Sequence, residues 1–246
     1  MKTKTALKWT IGVIAVVILM AVGAVVLLFV AFIVSMERGE KHQRQIRAEQ
    51  DSGRWDFGDQ PALFAVAQGI VKNDPDAIRA AAKSVPDLQA PGRYGATLLN
   101  FAVMQSWQRP ESVEAVRTLL SLGADPNYRE RSRNSFAMAN AVHASALVLR
   151  AMLETGGNPN TRDEFGQPII LMNWYLGYYQ NQARSRLELL LDRGADPNRA
   201  GRDGMTFGKM LMDHGAHFQQ TLKTPPTEFT TLWDWAEKHG IVQQAQ

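Results

Sequence analysis

The chain of 246 residues contains no cysteine. That removes disulfides, thiolate metal sites, cysteine nucleophiles and a lipoprotein anchor, and leaves the compartment open. Catalytic signatures are missing as well. There is no Gly-x-Ser-x-Gly elbow, no phosphate-binding loop and no His-Glu-x-x-His pattern. A strong excess of one charge is also missing. There are 27 basic and 24 acidic residues, and Lys2, Lys4 and Lys8 account for the difference. The rest of the chain is neutral, so a general affinity for nucleic acid is not expected.

The five histidines do not form a convincing metal set. His214 and His217 are three residues apart beside Asp213, but Gly215 lies between them and reads as a helix breaker. His143 sits among alanines and is expected to pack inward. His239 precedes Gly240 and is expected to cap a helix end. The reading is a protein that is not an enzyme, with no cofactor, no metal and no small-molecule substrate.

Charge is absent from Trp9 to Met36, and residues 11–34 are almost wholly Val, Ile, Leu, Ala, Phe and Met. A bilayer core of about 30 Å needs roughly 20 such helical residues. The run also outlasts a signal-peptide core of about 7–15 residues. The expectation is a short basic tail and transmembrane helix over 1–36, single-pass in the inner (plasma) membrane. Lys2, Lys4 and Lys8 on one flank nearly balance Arg38, Lys41, Arg44 and Arg47 on the other. The short, purely basic tail favours a periplasmic or extracytoplasmic C-terminal domain. Residues 37–59, rich in Arg, Glu and Gln, read as a charged juxtamembrane stalk.

The remainder is periodic. Gly123-Ala124-Asp125-Pro126-Asn127, Gly156-Gly157-Asn158-Pro159-Asn160 and Gly194-Ala195-Asp196-Pro197-Asn198 repeat one turn, and Val85-Pro86-Asp87-Leu88-Gln89 is a weaker copy. The Asx positions 87, 125, 158 and 196 lie 38, 33 and 38 residues apart, a 33-residue period with two insertions of five. Apolar pairs such as Leu119-Leu120 and Leu190-Leu191 close a helix, glycine takes the left-handed cap, and Asx-Pro-Asn makes the turn. A new helix then opens, as at Gly95-Ala96-Thr97-Leu98-Leu99-Asn100-Phe101-Ala102.

This turn followed by Gly-x-Thr-Leu-Leu-Asn-x-Ala resembles the ankyrin-repeat family. Leu98 and Asn100 stand where that family's Thr-Pro-Leu-His element has proline and histidine. The resemblance implies an all-α fold, with an ankyrin-repeat solenoid over 60–246 following the membrane helix. It counts about five helix-turn-helix units, near 60–91, 92–129, 130–162, 163–200 and 201–246. The insertions fall near 106–110 and 176–182, between the helices of units two and four. In the last unit two helices are expected on either side of 215–227.

The resemblance also implies a protein-binding role through projecting fingers and inner helices. The fingers carry Arg93, Tyr94, Tyr128, Arg129, Arg131, Arg133, Arg162, Phe165, Arg199 and Arg202, and the second insertion adds Trp174 and Tyr178. Arginine with aromatics is the composition of interface anchors, so the expected partner is a protein with an acidic surface. A membrane-tethered binder is the first reading, a bacterial immunity protein that blocks a toxin being one concrete form. A structural subunit or adaptor of a membrane complex is the alternative.

Overall fold

A computed structural model describes residues 29, 32–130, 135–172, 183–221, 224–225 and 227–242. The chain divides into two units, Met1–Glu49 and Gln50–Gln246. In the first, residues 32–49 are helical and mostly exposed. Its Arg44 pairs with Glu40 at 3.0 Å, one turn apart.

The expected transmembrane helix and the single-pass inner-membrane placement are corrected here. Among the described residues no helix is long and apolar enough to cross a membrane. The described part of the first unit carries Glu37, Arg38, Glu40, Lys41, Arg44, Arg47 and Glu49, too many charges for a bilayer core. Of the expected span 11–34, only residues 29 and 32–34 are described; the others lie outside.

The second unit begins earlier than the sequence suggests. Residues 54–57, assigned to the stalk, form α1 (Arg54–Phe57). Phe57 is fully buried and meets Phe101 edge-on at 5.7 Å, while Trp55 stacks on Tyr94 at 5.1 Å. An aromatic pair of this kind contributes about 0.5–1.5 kcal/mol beyond its buried area, enough to hold a short helix on the core.

From there the unit is all-α in its main elements. Helix α2 (Pro61–Lys72) starts with proline, whose missing N–H is not needed there, and ends at Asn73 in the left-handed region. Helix α3 (Pro75–Ala82) is capped by Asp74, whose carboxylate accepts from the backbone N–H of Asp76 and Ala77. Helix α4 (Leu98–Gln108) is capped by Thr97, which accepts from the N–H of Asn100 at 3.2 Å. A 3-10 turn at Pro110–Ser112 leads into α5 (Val113–Ser121). Strands β1 (Arg129–Glu130) and β2 (Ser135–Phe136) make one small antiparallel pair. Then come α6 (Ala137–Ala141), α7 (Ala146–Glu154, capped by Ser145), a helical turn at 169–172, α8 (Ala183–Asp192), α9 (Phe207–Thr221) and α10 (Thr227–Lys238).

These helices pack in two rows. Helix α4 contacts both α2 and α6, and α3, α5, α7 and α8 follow one another in a second row. Within each pair the two rows meet, α2 on α3, α4 on α5 and α6 on α7. The seam is one apolar core, with Val66, Ile70, Ile78, Leu98, Leu119, Leu149, Met152, Ile169, Leu190 and Phe207 essentially inaccessible. The insertion expected near 106–110 is visible as a longer α4, 11 residues against 5 in α6, plus the 3-10 turn. Its counterpart at 176–182 lies outside the described residues.

Three of the recurrent turns close their pairs the same way. Gly123, Gly156 and Gly194 have φ of 93°, 91° and 85°, the cap conformation that favours glycine. The Asx carboxylate or amide then accepts from the N–H two residues on: Asp87 from Gln89, Asp125 from Asn127, Asn158 from Asn160 and Asp196 from Asn198, all at 2.8–2.9 Å.

A second set of bonds joins one turn to the next. The Asn127 amide donates to the carbonyl of Gly156 (2.9 Å) and accepts from the N–H of Asn158 (2.7 Å). Asn160 does the same to Gly194 and Asp196, both at 2.8 Å. Gln89 does it to Gly123 (3.3 Å) and Asp125 (3.0 Å). One primary amide has both a donor and an acceptor on the same planar end, so it clips the next turn twice.

The last pair departs from the sequence reading. Helix α9 runs straight through Gly215 instead of stopping there. The glycine is a packing device: a Cβ on it would meet the Trp233 ring at 2.9 Å. Helix α10 packs its indole where any larger residue would collide.

Candidate functional site

The fingers that carry the candidate residues are tight hairpins. Gly92 donates to the carbonyl of Ala96, Asp163 to that of Gln167 and Gly201 to that of Met205, at 2.8–2.9 Å. The β1–β2 pair, with Arg129 opposite Phe136, takes the same place in the third unit.

The structure sorts the arginines into different duties. Arg93 pairs with Asp59 at 3.2 Å on the surface, and that hydrogen bond and charge raise its pKa. Tyr94 is tied down by its stack on Trp55. Arg162 is half-buried, and its guanidinium donates to the carbonyls of Gly166 (2.7 Å) and Ala200 (3.0 Å), 4 and 38 residues away. It staples its own finger to the next one, so it is a structural element as well as a charge. Arg129 donates in turn to the carbonyl of Arg162 at 2.7 Å. Arg202 is exposed and lies across Gly166. Phe165 projects furthest, 63% exposed. Arg131, Arg133, Trp174 and Tyr178 lie outside the described residues.

Three of these arginines come together. Arg129, Arg162 and Arg199 line a cleft of about 210 Å³ with Tyr128, Thr161, Met138 and the ladder amides Asn127 and Asn160. No acidic residue is among its described lining. Arg129 and Arg162 each lie four residues after their turn Asx (Asp125 and Asn158), so the amide ladder fixes their separation.

Sequence reading missed the side chains on α4. Met104 and Trp107 are 44% and 42% exposed. The Trp107 indole N–H donates to the carbonyl of Asn140 (3.1 Å), and the Asn140 amide donates to the Asn100 side chain (2.7 Å). Asn100, standing where the family pattern has histidine, therefore links α4 to α6. The exposed aromatic was legible as Trp107 inside the first insertion, but nothing in one sequence tells which helix face looks outward.

The histidines have structural surroundings. His143 packs edge-on against Trp107 at 5.3 Å. Burial lowers its pKa, the Arg186 charge lowers it further, and Asp163 opposes. Arg186 is itself buried and donates to the carbonyl of Ala144 at 3.0 Å. His214 and His217 share the unbroken α9, so the helix-breaking argument against them does not hold. His214 Nδ1 lies 2.9 Å from the Met210 carbonyl, and His217 packs against Phe218. His239 stacks on Trp235 at 4.1 Å with Nδ1 on the Trp235 carbonyl. Among the described residues no group of three or more His, Asp or Glu could hold a metal ion.

No family model matches the chain. Over 100 residues it is 36% identical to Protein PhlB of Serratia liquefaciens, a match that covers 41% of each protein. The chain thus spans about two fifths of the length of that curated relative.

Proposed function

We propose that the second unit is an ankyrin-type repeat array whose role is to bind another protein. The observation that carries the reading is the amide ladder. Four successive turns, set 33 or 38 residues apart, are clipped together by Gln89, Asn127 and Asn160 in the same two-bond geometry. Such an array fixes its surface before any partner arrives, so little ordering entropy is lost on binding. The fingers and α4 supply the contact chemistry: exposed Phe165, Trp107 and Met104 as apolar anchors, with the finger arginines Arg129, Arg162 and Arg199 lining a separate cleft. An acidic protein surface is the complement.

The test is affinity capture of the full chain from its native host after in-cell cross-linking, set beside a Phe165→Ala, Arg202→Ala variant. One partner is expected with the natural sequence, and at least about tenfold less with the variant at an unchanged melting temperature. Equal recovery, or no protein above an unrelated bait, refutes the reading. Stoichiometry then separates two uses of the surface. A toxin inhibitor forms a closed one-to-one complex that abolishes its partner's activity, whereas an adaptor holds two proteins at once.

A further inference from the structure

We infer that the cavity between α9 and α10 is a binding site for a small primary ammonium ion with an apolar body, such as an arylalkyl amine. The site goes beyond the protein-binding reading and shares no residue with the fingers or the turn ladder. Its volume is about 400 Å³. Small-ligand sites run from about 300 to about 1,000 Å³.

Much of the wall is aromatic. Phe218 from α9 meets Phe229 from α10 edge-on at 5.1 Å, and Trp233, one turn further along α10, lies tilted at 5.9 Å from Phe229. Gly215 is part of the same lining and has no side chain to fill the space; a Cβ there would meet the Trp233 ring at 2.9 Å. Covering such a wall with an apolar body supplies the main driving force for binding.

The polar groups fix the charge of the ligand. Gln219, Thr230 and Asp234 are exposed, and no cation is among the described lining residues. The Asp234 carboxylate enters none of the ion pairs between described residues. It follows Trp233 directly, so a carboxylate borders the aromatic wall. The Thr230 hydroxyl donates to the Thr227 carbonyl at 2.9 Å, which leaves its oxygen able to accept. Gln219 adds an amide oxygen. A primary ammonium brings three N–H donors and one charge, which suits these acceptors. A quaternary ammonium has no N–H for them, and an anion would face Asp234. Indole is also the ring that attracts a cation most strongly. A free amine fits better than a lysine side chain of a protein, whose thin stem would leave much of the aromatic wall uncovered.

The experiment titrates the isotope-labelled full chain with phenethylamine and with its neutral counterpart, phenethyl alcohol. It follows the indole N–H resonance of Trp233, assigned by its loss in Trp233→Phe. Saturable binding of the amine is expected, at least about fivefold tighter than the alcohol, from the ion pair and the ring together. Asp234→Asn, at an exposed position, should weaken the amine about threefold or more and leave the alcohol unchanged. Asp76→Asn, at an exposed carboxylate on α3, should change neither. Equal binding of amine and alcohol, tetramethylammonium binding as tightly as the amine, no saturable shift of the Trp233 resonance, or full amine affinity in folded Asp234→Asn overturns the inference. Tighter binding of acetyl-Gly-Lys-Gly-amide than of the free amine also overturns it and reassigns the cavity to a protein side chain.

Discussion

Replacing Asn127 by alanine isolates the turn-to-turn ladder from everything else in the fold. The substitution removes two hydrogen bonds, to Gly156 and from Asn158, and it opens no apolar cavity because the side chain is exposed. Each such bond contributes about 0.5–1.5 kcal/mol net, and water competes at the surface, so the pair contributes about 1–2 kcal/mol. Asn160→Ala should lose the same amount, since its two bonds have nearly the same lengths. Asn127→Asp keeps the acceptor for the Asn158 N–H but sets a carboxylate against the Gly156 carbonyl, and should be no better than alanine. Urea unfolding reads the result as a lower midpoint with an unchanged slope. Arg79→Ala is the control: its pair with Asp76 is exposed and should contribute less than about 0.5 kcal/mol. If Asn127→Ala and Asn160→Ala unfold at the natural midpoint, the ladder does not hold the turns together. The repeated geometry would then be only a by-product of the turn sequence.

Two further substitutions test packing and protonation. Gly215→Ala should destabilise by about 1–3 kcal/mol in thermal unfolding, despite alanine's better helix propensity, because its methyl meets the Trp233 ring at 2.9 Å; a raised melting temperature would show that the ring simply moves aside. His143 is held neutral by burial and by Arg186, so its folded pKa lies below the ordinary 6.5. Its contribution is complete above that unfolded value and is lost as pH falls through it toward the folded one, because the unfolded chain binds the extra proton first. Unfolding midpoints should therefore fall between about pH 7.5 and about pH 5.5 by more in the natural chain than in His143→Gln; identical pH dependence would exclude His143 as the titrating group.

The turns were legible because their chemistry is local. Glycine after an apolar pair, then Asx-Pro-Asn, specifies a cap and a turn within seven residues, and all four Asx side chains make the expected bond. What those same residues do next was not legible. The Asn127 and Asn160 amides act on a turn 29 to 36 residues away, and the pattern of one unit does not show its neighbour. Arg162 was read as a free finger tip for the same reason: its acceptor at Ala200 is 38 residues on. Gly215 shows the opposite error. A local rule treated it as a break, but the missing side chain serves a tryptophan on the next helix. The stalk was drawn too long because polar residues on either side of Phe57 hide one buried ring.

Stability and recognition are built from the same turn. In the first three copies the third residue clips the next turn, and in the second and third copies Arg129 and Arg162, which line the cleft, follow two residues later. The ladder therefore does more than hold units together; it sets the distance between Arg129 and Arg162, and the Arg162 staple carries that spacing on to the next finger through Ala200. A surface assembled this way depends on contacts between units more than on any one unit. This is why a chain with a net charge of only +3 can bring three arginines to one cleft. The charge balance is a property of the whole sequence, whereas the field at the cleft depends on which side chains successive turns bring to the same face.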